Sequence, residues 1–161
     1  MVSLERPTLR KINIPITDTA RSREFYAGLL KLPEIERPPF DFEGAWFQVG
    51  DGQIHLIGKN KNPSAIPSHP TFRTGKKVDS RDVHFAIRVK SCGELLNYLL
   101  DNGFHPNAEN EIKRIKISTR PTAGFPQVYI MDPDRNTIEF NAEKVDELML
   151  SLAEQIENGT R

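Results

Sequence analysis

Residues 11–16, KINIPI, and residues 84–89, HFAIRV, each place an apolar side chain at every second position, as a strand buried on one face does. After each strand the apolar spacing changes to three and four, behind Asp18 in the first case and over residues 94–102 in the second. This spacing is typical of an amphipathic helix. Further short strands are predicted after both helices, at residues 45–49, 53–57, 111–118, 127–131 and 137–141. The chain therefore carries two copies of one strand and helix order.

The two copies can be put in register. When Lys11 is placed over His84, the starts of the two helices coincide. With a difference of two residues in the hairpin turn, His55 then falls over Glu139. We therefore predict that these pairs occupy equivalent positions in two similar modules.

The repeat defines a domain organisation. A chain of 161 residues suits one compact domain, which we expect over residues 1–161. The stretch between the copies is polar, contains three prolines and has no period of either kind, so it is predicted to be a linker. The last stretch has apolar residues at helical spacing. The predicted parts are module one at 8–58, the linker at 59–80, module two at 81–142 and a C-terminal helix at 143–157.

Composition excludes several classes of protein. Lys plus Arg and Asp plus Glu both number 22, so there is no basic field to hold a nucleic acid. No run of about 18 apolar residues is present, and residues 1–8 lack the apolar stretch of a signal peptide, so we expect no membrane association and a cytoplasmic location. The single cysteine, Cys92, cannot form an intrachain disulfide and is predicted to be structural.

Four side chains are predicted to share one sheet face, because their strand neighbours are apolar: Lys11, His55, His84 and Glu139. If a pseudo-two-fold relates the two modules, the four converge. Two imidazoles and a carboxylate are suitable ligands for Zn²⁺, Ni²⁺, Mn²⁺ or Fe²⁺ and leave positions open for substrate. His55, His84 and Glu139 are therefore the predicted metal ligands. The alternative is that each is a hydrogen-bonded structural residue.

Lys11 leaves two alternatives open. A protonated lysine cannot ligate a metal, and its ammonium group paired with Glu139 would replace the cation in a metal-free pocket. Alternatively, the other three residues bind the metal, while Lys11 contacts a substrate oxyanion or acts as a base. Arg88 and Asn13 should share this face and are predicted substrate contacts. Arg88 would suit a carboxylate or a phosphate.

Several motifs resemble the glyoxalase, bleomycin-resistance protein and extradiol dioxygenase superfamily, the vicinal oxygen chelate proteins. They are IPITD at 14–18 with SREFY at 22–26, FDFEGAW at 40–46, QIHLI at 53–57, and DPD at 132–134 with IEF at 138–140. The resemblance implies an α+β fold of two βαβββ modules in a curved, mixed, eight-stranded sheet, to which the sequence adds the C-terminal helix. It also implies a divalent metal at the centre, bound by His55, His84 and Glu139. Lys11 stands where the family has His or Gln.

The resemblance leads us to expect a metal-dependent lyase or isomerase that acts on a small oxygenated metabolite. Its metal would polarise a carbonyl group, with Glu139 and Lys11 as the catalytic residues. One alternative is a binding or resistance protein without catalysis, in which Trp46 and Phe40 supply stacking surface. An iron-dependent dioxygenase ranks lower, because its ligand set would include the position of Lys11. The sequence leaves sheet edges unpaired, and members of the family usually pair across a two-fold axis, so we predict a homodimer.

Overall fold

The computed structural model describes residues 8–60, 75–120 and 122–161. Most of the predicted linker, residues 61–74, lies outside the described residues, and so do residues 1–7. The chain divides into two compact units, Met1–Pro70 and Thr71–Arg161. Each unit has its own four-stranded sheet.

The first unit has the order βαβββ. Its sheet has the strand order β1-β4-β3-β2, with β1 parallel to β4 and the other pairs antiparallel. The side chain of Asp18 caps the first helix by accepting a hydrogen bond from the main-chain N–H of Arg21 at 2.9 Å. The elements are β1 (Lys11–Pro15), α1 (Thr19–Arg23) continuing into a π-helical segment (Glu24–Leu29), β2 (Glu34–Ile35), β3 (Phe42–Val49) and β4 (Gly52–Asn60).

The second unit repeats this order and adds a helix. Its sheet has the order β5-β8-β7-β6, with β5 parallel to β8 and the other pairs antiparallel. The elements are β5 (His84–Arg88), α2 (Cys92–Asp101), a 3₁₀ helix (Glu111–Lys113), β6 (Lys116–Ser118), β7 (Gln127–Met131), β8 (Thr137–Asn141) and α3 (Glu147–Glu157). The α+β class and the two βαβββ modules are therefore confirmed.

The strand pairing of the two sheets has the same register. In the first sheet Lys11 pairs with Gln53, and in the second sheet His84 pairs with Thr137. These are the positions that the sequence repeat equates. The strand pairing within the two modules thereby confirms the alignment of Lys11 with His84.

Apolar side chains alternate along the strands and form the core of each unit. In the first unit, the fully buried rings of Tyr26 and Phe47 stack with their centroids 5.7 Å apart. In the second unit, Leu96 and Leu99 of α2 are fully buried, as is Ile138 of β8. The helix that follows the first strand of each unit therefore covers an apolar sheet face, and the polar residues between the core positions of a strand project from the opposite face.

Asp146 joins the starts of α2 and α3. Its Oδ1 accepts a hydrogen bond from the main-chain N–H of Met149 at 2.9 Å, which caps α3. Its Oδ2 accepts from the N–H of Gly93 at 3.1 Å and from the hydroxyl of Ser91 at 2.9 Å. A Cβ at position 93 would overlap the carboxylate of Asp146, so this close approach requires glycine. One carboxylate therefore fixes the relative position of two helices.

Two of the predicted elements are wrong in detail. Residues 111–118 were predicted as one strand, but the structure has the 3₁₀ helix before β6. The side chain of Asn110 accepts from the N–H of Ile112 at 3.1 Å and starts that turn. The C-terminal helix begins at Glu147 rather than at residue 143, because Asp146 is its cap. No helix among the described residues has both the length and the apolar content needed to cross a bilayer.

Candidate functional site

His84 and Glu139 lie side by side in the second unit. His84 Nε2 is 3.2 Å from Glu139 Oε2, and the two side chains are 26% and 7% exposed. His84 Nδ1 is 2.6 Å from the main-chain oxygen of Asp82. A carbonyl oxygen only accepts hydrogen bonds, so Nδ1 carries the proton. In the neutral ring, Nε2 therefore directs a lone pair towards the carboxylate.

The surroundings of Glu139 keep its carboxylate charged. Oε1 accepts a hydrogen bond from the side-chain amide of Asn141 at 2.7 Å. Burial raises the pKa of Glu139, but hydrogen bonds from Asn141, Gln127 and Tyr129 and the neighbouring His84 outweigh burial, so the pKa is lower than usual. Burial, followed by the hydrogen bond to Glu139, raises the pKa of Tyr129 to about 12. At neutral pH an anion thus faces His84.

Thr137 and Arg88 lie on the two strands that carry this pair. Thr137 is opposite His84 in the register and two residues before Glu139, so alternation places it on the same face. Its Oγ1 is shielded from solvent and has no hydrogen-bond partner among the described residues. Arg88 lies at the far end of β5, with its guanidinium 5.5 Å from the ring centroid of Phe125.

The residues of the pair fit a divalent cation. Two ligands at about 2.1 Å from one metal ion are separated by roughly 3.0–3.4 Å, which matches the 3.2 Å between His84 Nε2 and Glu139 Oε2. A metal-binding histidine usually donates its other ring N–H to an oxygen, as Nδ1 of His84 does to Asp82. No group of three or more His, Cys, Asp or Glu side chains in the described part of the chain is arranged to hold a metal. The structure thus joins two of the three predicted ligands.

The third predicted ligand, His55, lies on β4 of the first unit and is 4% exposed. Its Nε2 is 2.8 Å from Gln53 Oε1, which only accepts, so Nε2 donates this hydrogen bond. Burial and the positive charge of Lys11 lower the pKa of His55. The imidazole is therefore held neutral, which is the form that binds metals.

Lys11 and Asn13 occupy β1 beside His55. Asn13 pairs with His55 in the register, and both Lys11 and Asn13 are exposed. Their side chains form no hydrogen bond or ion pair with the residues that the structure describes. The predicted substrate contacts of the first module are thus open to a ligand.

One aromatic side chain stacks on His55, and two others continue from it. The rings of Trp46 and His55 stack with their centroids 3.8 Å apart and their planes at 10°. Phe40 lies 5.9 Å from Trp46 and 5.0 Å from Phe42. Arg37 was not predicted, yet its guanidinium carbon is 4.9 Å from the ring centroid of Phe40 and 4.8 Å from that of Phe42. Its signal in the sequence was the spacing of three and five residues before two aromatic residues.

The comparisons with known proteins agree with this fold. The family model of the Glyoxalase/Bleomycin resistance protein/Dioxygenase superfamily matches residues 8–140. No curated protein matches the chain by sequence. A Bacillus anthracis protein described as a glyoxalase family member is similar in structure, with 20% identity and a TM-score of 0.65, over 89% of this chain and 100% of that one.

Two further solved structures are similar over most of their length. Lactoylglutathione lyase from Agrobacterium tumefaciens is 16% identical with a TM-score of 0.58, over 86% of this chain and 95% of that one. The genomically encoded fosfomycin resistance protein from Listeria monocytogenes is 14% identical with a TM-score of 0.58, over 87% of this chain and 96% of that one. At these identities the likeness shows the fold alone. Because the family model spans both modules, the chain belongs to the glyoxalase, bleomycin-resistance protein and dioxygenase superfamily.

Proposed function

We propose that this protein is a glyoxalase-like metalloenzyme, a lyase or isomerase that acts on a small oxygenated metabolite. The observation that carries the proposal is the pair of His84 Nε2 and Glu139 Oε2 at 3.2 Å. Both atoms are hydrogen-bond acceptors when the imidazole is neutral, so they repel each other unless a proton or a cation lies between them. A divalent ion with two such ligands would leave positions for a substrate that offers adjacent oxygens.

His55 is the proposed third ligand. Two observations support this assignment. The imidazole of His55 is neutral. His55 lies two residues after Gln53, the partner of Lys11, as Glu139 lies two residues after Thr137, the partner of His84. Its Nε2 donates to Gln53, so this amide must release the ring before Nε2 can bind a metal. The metal is one of Zn²⁺, Ni²⁺, Mn²⁺ and Fe²⁺.

The residues of the chain then have distinct tasks. The ion, when bound, supplies Lewis-acid polarisation of a substrate carbonyl. Glu139 accepts a substrate proton on a carboxylate oxygen, and its hydrogen bond from Asn141 keeps the carboxylate oriented. Lys11 donates hydrogen bonds to a substrate oxyanion, and Arg88 and Asn13 contact the rest of the substrate. The homodimer and the cytoplasmic location remain predictions of the sequence.

The test is metal content and metal affinity of protein purified without chelators. We expect about one transition metal ion per chain, measured by mass spectrometry, and a loss of affinity of at least tenfold in both His84→Ala and Glu139→Gln. His105→Gln is the matched control, because His105 bonds to the main chain of Arg161 and Asn107 and not to this pair. Metal content below one tenth per chain in reconstituted wild-type protein would refute the proposal.

A second candidate is a small-molecule binding or resistance protein without catalysis. The stack of Trp46 on His55, next to Phe40, favours it, because such rings form a surface for a flat ligand. Chemical recovery of the bound ligand decides between the two. Unchanged ligand after prolonged incubation with metal-loaded protein supports binding alone, and turnover excludes it.

A further inference from the structure

Four aromatic rings of the first unit adjoin one another in the order Phe42, Phe40, Trp46 and His55, here named the aromatic wall. Its successive ring centroids are 5.0, 5.9 and 3.8 Å apart. Phe40 remains 43% exposed, although a large aromatic side chain is usually buried. Phe40 thus gives the aromatic wall π-surface that the described part of the chain leaves uncovered.

A cationic side chain adjoins the aromatic wall. Arg37 lies over the rings of Phe40 and Phe42 and donates one hydrogen bond, from Nη2 to the main-chain oxygen of Phe42 at 2.6 Å. No carboxylate among the described residues pairs with it. Its Nε is shielded from solvent and has no acceptor within the described ranges. A partly buried guanidinium usually has an anionic partner, so this one is available to a ligand.

A second donor in the aromatic wall is also unmatched. Trp46 Nε1 is shielded from solvent and has no hydrogen-bond partner among the residues described. A buried indole N–H usually finds an acceptor, and one left unpaired is destabilising. The unmatched groups of this region are thus donors, so a ligand that satisfies them must supply acceptors.

We propose that the aromatic wall and Arg37 bind an aromatic carboxylate, which goes beyond the function proposed above and gives the first unit a ligand site of its own. The flat ring stacks on Phe40 and Trp46, and the carboxylate pairs with Arg37 and accepts from Trp46 Nε1. An aliphatic carboxylate would leave the ring surfaces without a flat partner. A neutral arene would leave the guanidinium unpaired. A ligand that is both flat and anionic satisfies both features.

The single tryptophan makes the test specific, because all of the tryptophan fluorescence comes from Trp46. The probe is benzoate, titrated into chelator-treated protein, with cyclohexanecarboxylate and benzamide as the non-planar and the neutral comparison. We expect saturable quenching by benzoate and at least tenfold weaker binding of the other two. Arg37→Gln should weaken benzoate binding about tenfold or more, because a hydrogen bond between charged groups is lost. Arg23→Gln is the matched control, since Arg23 pairs with Glu34.

Each outcome supports or overturns the proposal. If cyclohexanecarboxylate binds as tightly as benzoate, the claim that the ligand is flat is overturned. If benzamide binds as tightly as benzoate, the claim that the ligand is anionic is overturned. If benzoate does not bind, both claims are overturned. If Arg37→Gln unfolds, Phe40→Leu replaces it and should also weaken benzoate binding. Metal affinity is measured separately on the same samples. Benzoate binding without metal binding upholds this inference and refutes the metalloenzyme, and the reverse result refutes only this inference.

Discussion

Replacing Asp146 by alanine should destabilise the second unit, because three hydrogen bonds end on this one carboxylate. Loss of the cap at Met149 costs about 1 kcal/mol. Gly93 N–H and the Ser91 hydroxyl lose their acceptor, at about 1 kcal/mol each, since the carboxylate is only partly buried. We expect a fall in the free energy of unfolding of about 3 kcal/mol. Asp146→Asn keeps one accepting oxygen and should lose about half as much.

The assay is urea unfolding followed by circular dichroism, combined with hydrogen exchange of single amides. In Asp146→Ala, the amides of Gly93 and Met149 should lose protection first, because both donate to the missing carboxylate. Glu143→Ala removes an exposed carboxylate three residues away and should change stability by less than about 0.5 kcal/mol. If the two alanine variants unfold at the same urea concentration, with both amides still protected, the carboxylate does not hold the helices together.

The contribution of Asp146 should also depend on pH. Burial raises the pKa of Asp146, but hydrogen bonds from Met149, Gly93 and Ser91 outweigh burial and lower it below the ordinary 3.8. The stabilisation is therefore fully present above the pKa of the unfolded chain and is lost as pH falls through the lowered pKa of the folded state. The stability difference between wild type and Asp146→Ala, measured from pH 7 to pH 2.5, should stay constant above about pH 5 and shrink below pH 4. A difference that grows at low pH would contradict this sign.

Three further outcomes are expected. Gly93→Ala should lower the melting temperature and disturb the same junction, because its Cβ would overlap the carboxylate of Asp146. Gly44→Ala should cost about 2 to 3 kcal/mol, measured by the tryptophan fluorescence during unfolding, because its Cβ would overlap the main-chain oxygen of Leu56. Burial, followed by the charge of Asp146, raises the pKa of the Cys92 thiol to about 11, so a thiol reagent at pH 8 should react with Cys92 only after urea is added.

The positions that sequence could predict are those fixed by periodicity. Alternation in two strands and the repeat register placed His84 and Glu139 on one sheet face, and the structure brings their side chains together. The same register correctly paired the position of Lys11 with that of His84. Whether His55 joins this pair remains a prediction, because it rests on the relation between the two modules.

The contacts that sequence could not predict depend on distance or on competition between local structures. The hydrogen bond between Asp146 and Gly93 joins residues 53 positions apart, and no periodicity of the sequence predicts it. The alternation over residues 111–118 favoured one strand, but the side chain of Asn110 bonds to the main chain and starts a 3₁₀ turn instead. The strand Glu34–Ile35 has two residues, too few to show any period.

The common register places different side chains at equivalent positions of the two modules. Trp46 lies opposite His55 across β3 and β4, and Tyr129 lies opposite Glu139 across β7 and β8. The two pairs therefore occupy equivalent positions in the two modules. In the first copy these positions hold a stacked pair of neutral rings, and in the second an acid with its hydrogen-bond donor. One backbone arrangement thus presents a stacked pair of rings in the first module and a hydrogen-bonded carboxylate in the second.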